Sequence, residues 1–261
     1  MSAWLVPLFA ITALVYASVG FAGGSTYTAL MVLAGVQFLV VPLISLVCNL
    51  IVSSNGMAQF ARAGHVPWRR VWPMLALSVP AAWLGGWWAI KPALFVLLLG
   101  GSLSLSGLLL LIGPDQSATR APAAPDAGPG LFALAIAAPL GLLSGLVGIG
   151  GGIFLAPLLH LAGWDSARRI AGTATLFIFA NSLSGLAGQA YKLVSGHGAE
   201  ELAAMGDALF GHALLWGLLV VAVAIGGHIG TRLGTAALPQ QLIRRVTGLV
   251  VLFAGARLLL G

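Results

Sequence analysis

Apolar runs with few or no charges alternate with short polar breaks along nearly the whole chain. They cover 3–20, a short stretch at 25–36, then 38–61, 71–90 and 93–112. After a break come 130–147, a short stretch at 151–163, then 170–191, 207–230 and 242–260. A helix that crosses a bilayer needs about 20 predominantly apolar residues, so the longer runs predict membrane-spanning helices. A dozen residues of helix rise only about 18 Å, which makes the two short stretches too short for an ordinary crossing. The first run lacks the basic n-region of a signal peptide and further hydrophobic segments follow it, so it reads as a retained span. The break at 113–129 (GPDQSATRAPAAPDAGP) is rich in Pro, Ala and Gly and holds three charges. That composition predicts a solvent-exposed linker between a unit at 1–112 and a second at 130–261.

The two units follow one plan: an apolar helix, a glycine cluster, a short run, then three full-length spans. The clusters read Gly20-Phe21-Ala22-Gly23-Gly24-Ser25 and Gly148-Ile149-Gly150-Gly151-Gly152-Ile153. Eleven residues after the last glycine of each, Gly35 and Gly163 end the short runs, and both features share an offset of 128 residues. An internal duplication accounts for this. Further along, the register slips, so there elements and not residues are matched.

Charge sets the expected orientation, because short cytoplasmic loops collect Lys and Arg. The loop around 62–70 holds Arg62, Arg69 and Arg70, whereas its counterpart sets Lys192 against Glu200 and Glu201. Conversely, 35–41 is uncharged while its counterpart carries Arg168 and Arg169, and Arg232, Arg244 and Arg245 face a counterpart with only Lys91. Corresponding loops with opposite basic content are the mark of inverted-topology repeats. Inversion needs an odd number of crossings per half. Three long spans supply it if each opening unit is a helical hairpin whose glycine tip lies within the membrane. The expected fold is an all-α polytopic membrane protein of two inverted repeats, each a glycine-broken hairpin plus three transmembrane helices. The N-terminus and C-terminus then lie outside and the linker inside.

Composition agrees and excludes other classes. Hydrophobic residues make up 59% of the 261, and 12 basic and 6 acidic residues make up 7%, against about a quarter charged in soluble domains. With a mean hydropathy of +1.04, the chain could not cover itself with polar groups in water. The net charge of +6 is scattered singly or in pairs, which argues against a nucleic-acid partner. A single cysteine, Cys48, forms no intrachain disulfide framework and no thiolate cluster. Neither a metal nor a cofactor is implied. The expected partners are the bilayer and a small anion, with self-association left open.

Candidate chemistry centres on the clusters. Broken backbone inside a bilayer persists where it is buried in protein or lines a cavity, and glycine lets a ligand approach the main chain closely. Helices starting at about Ser25 and Ile153 would aim their free N–H groups and positive dipole ends at the tips. Such a helix start attracts an anion without a charged side chain. The competing explanation is tight helix packing, since Gly20/Gly24, Gly141/Gly145 and Gly148/Gly152 also have the four-residue spacing of small-residue interfaces. Two clusters, each at the junction of a full and a half helix, favour the site.

Polar side chains recur in the first long span of each half: Asn49, Ser53, Ser54, Asn55 and Gln59, then Thr173, Thr175, Asn181, Ser182 and Gln189. In hydrocarbon they need partners inside the bundle, either an oxyanion or a neighbouring helix. The candidate substrate-binding set is Gly23, Gly24, Ser25, Thr26, Asn49, Asn55, Gly150, Gly151, Gly152, Ile153, Thr173 and Asn181. All six acids fall in loops, the linker or a span edge, which disfavours a carboxylate proton relay or an acidic channel ring. His160, His212 and His228 are candidate titrating groups near neutral pH, with packing as the commoner role. Trp68, Trp72, Trp83, Trp87 and Trp88 bracket one span as interfacial anchors. Enzyme readings find little support. Ser144 and Ser184 each precede a glycine, but nothing places a histidine base opposite. Glu200-Glu201 lacks the arginine and paired histidines of a membrane metalloprotease.

The segment Gly145-Leu146-Val147-Gly148-Ile149-Gly150-Gly151-Gly152-Ile153-Phe154-Leu155-Ala156-Pro157-Leu158-Leu159 resembles the signature of the TauE/SafE family of sulfite exporters. Ala171-Gly172-Thr173-Ala174-Thr175-Leu176 and Asn181-Ser182-Leu183-Ser184-Gly185 are similar to the family's next segment, and Arg62-Ala63-Gly64-His65-Val66-Pro67-Trp68 to its basic loop. The resemblance covers nearly the whole chain. The first half departs from it, with Ala22 in the glycine run and Ala29 where Pro157 has its counterpart. The resemblance implies export of a small sulfur-containing anion, sulfite or an organosulfonate such as sulfoacetate, across the bacterial inner membrane. The alternatives are an anion channel and a transporter of another small carboxylate or oxyanion.

Overall fold

A computed structural model describes residues 4–18, 20–37, 39–112, 128–196, 206–207, 210–234 and 240–260. Most of the expected linker, and Glu200 and Glu201, lie outside the described residues. The elements are helices α1 (Leu5–Ser18), α2 (Gly24–Leu33), α3 (Val41–Arg62), α4 (Trp68–Trp87) and α5 (Pro92–Ile112), then α6 (Leu131–Val147), α7 (Gly152–Leu161), α8 (Ala167–Gly196), α9 (Ala213–Gly234) and α10 (Gln240–Leu260). No strand occurs among the described residues. By length and apolar composition, α3, α5, α8 and α9 are able to cross a membrane. The runs at 71–90 and 242–260 correspond to α4 and α10, of 20 and 21 residues. Both have the length but open on polar residues, Arg69 and Arg70 in one, Gln240, Gln241, Arg244 and Arg245 in the other.

The glycines of the duplication set where the helices break. Gly20 and Gly148, Gly23 and Gly151, and Gly35 and Gly163 all have φ between 58° and 89°, a region that a side chain disfavours. Gly23 and Gly151 are the left-handed N-caps of α2 and α7, so these helices start at Gly24 and Gly152, one residue earlier than the sequence predicts. Gly35 and Gly163 turn the chain away after the short helices.

Packing is reciprocal between the halves. Helix α1 lies along α9 and α6 along α4, so each opening helix pairs with the other half, while α3 meets α8 and α5 meets α10. Close approach requires small residues. Gly85 sits against the Leu142 carbonyl and Gly145 against that of Ala82 where α4 crosses α6, and Gly226 and Gly230 sit against Ala10 and Leu14 where α9 crosses α1. Helix packing thus accounts for Gly141 and Gly145, as the competing explanation has it, Gly141 facing the Ser78 carbonyl.

One end of the bundle is tied by a buried cluster. Arg70 Nη1 donates to Asp165 Oδ2 at 2.6 Å, Nη2 to the Trp164 carbonyl at 3.0 Å and Nε to the Gly128 carbonyl at 3.0 Å. The guanidinium carbon lies 3.9 Å from the centroid of the Trp164 ring, a favourable cation–π distance, and Trp164 Nε1 donates to the Pro129 carbonyl at 2.6 Å. The start of α4, the approach to α6 and the turn between α7 and α8 therefore meet. The charge pattern expects all three on one face, but it reads Arg70 as a loop charge. It is 6% exposed. At the two ends of α4, Trp68, Trp72, Trp87 and Trp88 are exposed, and Trp83 stacks on Trp87 at 5.9 Å between ring centroids.

Candidate functional site

Two breaks in the chain form the candidate site. At the first, α1 ends at Ser18, Gly20 and Gly23 turn the backbone, and the Thr26 and Tyr27 N–H groups bond the Gly23 carbonyl at 3.0 Å each. At the second, the Gly148 N–H closes α6 on the Ser144 carbonyl at 2.9 Å, and Phe154 and Leu155 bond the Gly151 carbonyl at 3.2 and 3.1 Å. The N–H groups of Gly24 and Ser25, and of Gly152 and Ile153, precede these first intrahelical bonds and have no carbonyl within their own helix.

Asn49, the ninth residue of α3, brings both breaks together and is fully buried. Its Nδ2 donates to the Gly148 carbonyl at 3.2 Å. A Cβ at Gly24 would overlap the Asn49 amide, and one at Gly150 would fall 3.0 Å from its Nδ2, 2.9 Å from Ile178 Cγ2 and 3.3 Å from Ser182 Oγ. Glycine is required here because side chains of α3 and α8 occupy the space.

Hydroxyls complete the joint. Ser45 Oγ lies 2.7 Å from the Gly148 carbonyl and 3.0 Å from that of Gly24. Its single hydrogen serves the shorter contact, and Thr28 Oγ1, 2.8 Å from the Gly24 carbonyl, donates there. Thr175 Oγ1 on α8 lies 2.8 Å from the Gly20 carbonyl and 2.8 Å from that of Ala171. The first half therefore holds the Gly148 carbonyl of the second, and the second half holds Gly20 of the first.

Several buried polar atoms on α2, α3 and α8 have no hydrogen-bond partner among the described residues: Tyr27 Oη, Asn49 Oδ1, Thr173 Oγ1, Asn181 Oδ1 and Ser182 Oγ. Such atoms are rare in native proteins and call for a ligand, a water or an ion.

The expected residues distribute unevenly. Gly24, Asn49 and Gly150 converge, with Gly23, Gly151 and Gly152 shaping the turns and Ser25 and Ile153 buried in the first helical turns. Thr26 is engaged elsewhere, its Oγ1 2.7 Å from Tyr16 Oη. Asn181 turns its Nδ2 back to the Phe177 carbonyl of its own helix at 2.9 Å. Thr173 is buried on α8, while Asn55, six residues beyond Asn49, is half-buried and is not among the side chains nearest the tip glycines. His212 and His228 are exposed, and His160 ends α7, opposite its tip. Among the described residues no group of three or more His, Cys, Asp or Glu is placed to hold a metal ion.

Sequence reasoning missed Ser45, Thr28, Tyr16 and Ile178. For Ser45 a signal existed: Ser45, Asn49 and Ser53 follow the four-residue spacing of one helix face, and all three are buried. Tyr16 and Ile178 stand in apolar runs and give no sign of their contacts.

A bundle of paired apolar helices enclosing two glycine-broken ones is the architecture of a multi-pass membrane protein, and comparison with known proteins makes it a membrane transporter. The profile of the family described as "Sulfite exporter TauE/SafE" matches residues 5–258. The probable membrane transporter protein y4hK of Sinorhizobium fredii is 33% identical over 251 residues, covering 96% of this chain and 95% of that protein. The chain belongs to the TauE/SafE sulfite exporter family. No solved structure matches it.

Proposed function

We propose that the protein is a secondary transporter that exports a small sulfur-containing anion, sulfite or an organosulfonate such as sulfoacetate, across the bacterial inner membrane. The observation that carries this reading is Asn49 standing between the start of α2 at Gly24 and the second glycine break at Gly148–Gly150, with unpartnered buried polar atoms beside them. Gly24, Ser25, Gly152 and Ile153 present main-chain N–H groups, and two helix dipoles add positive potential without a charged side chain. That environment suits a small oxyanion. The family supplies the sulfur.

The two halves act as inverted repeats, with the N-terminus outside and the linker inside, and alternating access comes from their relative movement. A membrane potential that is negative inside favours anion exit by about 2.3 kcal/mol per charge per 100 mV, so export needs no coupling ion. The test is flux of sulfite, sulfoacetate, sulfate and acetate in proteoliposomes under an imposed potential. Flux of a sulfur oxyanion that rises with the potential is expected; none from a folded sample defeats the reading. Currents above transporter rates would place the protein among channels.

A further inference from the structure

We infer that Asn49 selects for an anion that carries a hydrogen-bond donor of its own, a singly protonated oxyanion, whose O–H is accepted by Asn49 Oδ1. The inference rests on the proposed anion site and deepens it. The amide orientation is fixed, because Nδ2 donates to the Gly148 carbonyl at 3.2 Å, so Oδ1 is turned away from that carbonyl. A Cβ at Gly24 would fall nearest Nδ2 and 2.6 Å from Oδ1, so the whole amide, its oxygen included, stands over the first residue of α2. Asn49 is fully buried, and Oδ1 accepts no hydrogen bond from the described residues.

A buried acceptor without a donor is costly, and the groups beside it are donors of another helix turn. The N–H groups of Gly24 and Ser25 lie in that first turn. A fully deprotonated tetrahedral oxyanion offers acceptors only. It satisfies the N–H groups but sets an oxygen against Asn49 Oδ1. An oxyanion with one O–H satisfies both, and it keeps a single negative charge for the helix dipole. Over Gly152, the matching place on α8 is taken by Ile178, which neither donates nor accepts. The acceptor that stands over a helix start is therefore at the first tip.

Methylphosphonate and methanesulfonate test this, since in mildly acidic solution each is a tetrahedral monoanion with one methyl group and three oxygens. They differ by the O–H proton. With the full chain in proteoliposomes, each is added as a competitor of whichever sulfur anion the flux assay shows to be carried. Methylphosphonate is expected to compete about 10-fold more strongly, the effect of leaving one buried acceptor unpaired. Asn49→Leu, which keeps the branching and removes both polar atoms, is expected to bring the two competitors to within about twofold. Equal competition in the unaltered protein, or none from either, overturns the inference, and so does a preference that survives in Asn49→Leu. A sodium requirement with no preference between the two anions assigns Oδ1 to a cation and also overturns it. If Asn49→Leu does not fold, the unaltered protein decides alone. Should no sulfur anion move at all, it is the transport reading that fails.

Discussion

The two glycine tips share a backbone and differ in what covers it. Gly24 and Gly152 each open a ten-residue helix after a left-handed glycine, yet Asn49 stands over the first and Ile178 over the second. Gly20 and Gly148 likewise meet matching residues of the opposite half, Ala171 and Pro42. Asn49 and Ile178, and Pro42 and Ala171, are each 129 residues apart in sequence, against 128 for the glycines. Two breaks of one backbone pattern thus present one polar wall and one apolar wall. Symmetry supplies the breaks, and divergence supplies the chemistry.

The short helices also end differently. Gly163 leads into Trp164 and Asp165, which Arg70 clamps, whereas Gly35 leads to a half-buried Val36 and an exposed Gln37. Arg70→Ala is expected to have the largest effect on stability, because it leaves Asp165 buried without its main partner. Breaking a buried pair costs about 3 kcal/mol here, the low end of the usual range, since Arg169 Nη1 still stands 3.8 Å from Asp165 Oδ2. Thermal unfolding in detergent measures it, and an unchanged midpoint would show that the clamp on α7 is immaterial.

Next in size, Gly24→Ala is expected to lower flux more than Gly152→Ala, by about 10-fold. The Asn49 amide that blocks the new methyl is pinned to the Gly148 carbonyl, while Ile178 is held by packing alone and can rotate. Equal losses in the proteoliposome assay would erase the distinction between the tips. Thr175→Ala and Ser45→Ala probe the crossed bonds. The first removes the side-chain donor to Gly20 and is expected to cost about 1–2 kcal/mol, and the second costs less because Asn49 still serves Gly148. Unfolding of the two variants side by side checks the order. The smallest effect belongs to Ala22→Gly, which matches this position to Gly150 and costs under about 1 kcal/mol through added freedom of the unfolded chain.

The helical class and the breaks were legible, the breaks because glycines at a fixed offset leave a mark that needs no partner to be seen. The exchange of α1 and α6 between halves was not legible. Lipid-facing and helix-facing positions are equally apolar in a membrane bundle, so hydrophobic periodicity cannot say which helix a face meets. Asn49 and Asn181 were singled out by the same cost in hydrocarbon, yet only Asn49 lies against the glycine breaks, while the Asn181 Nδ2 bonds its own helix. Arg70 was read from its neighbours in sequence, whereas Asp165, 95 residues away, determines its burial.

The carbonyl of each kink is stitched to the opposite half, Gly148 by Ser45 and Asn49, Gly20 by Thr175. A gene cut between its halves would therefore yield two fragments that are each incomplete at the bend and complementary to one another. Co-production should rescue what neither piece achieves alone, and a dimer of second halves would lack the one asparagine that both bends share.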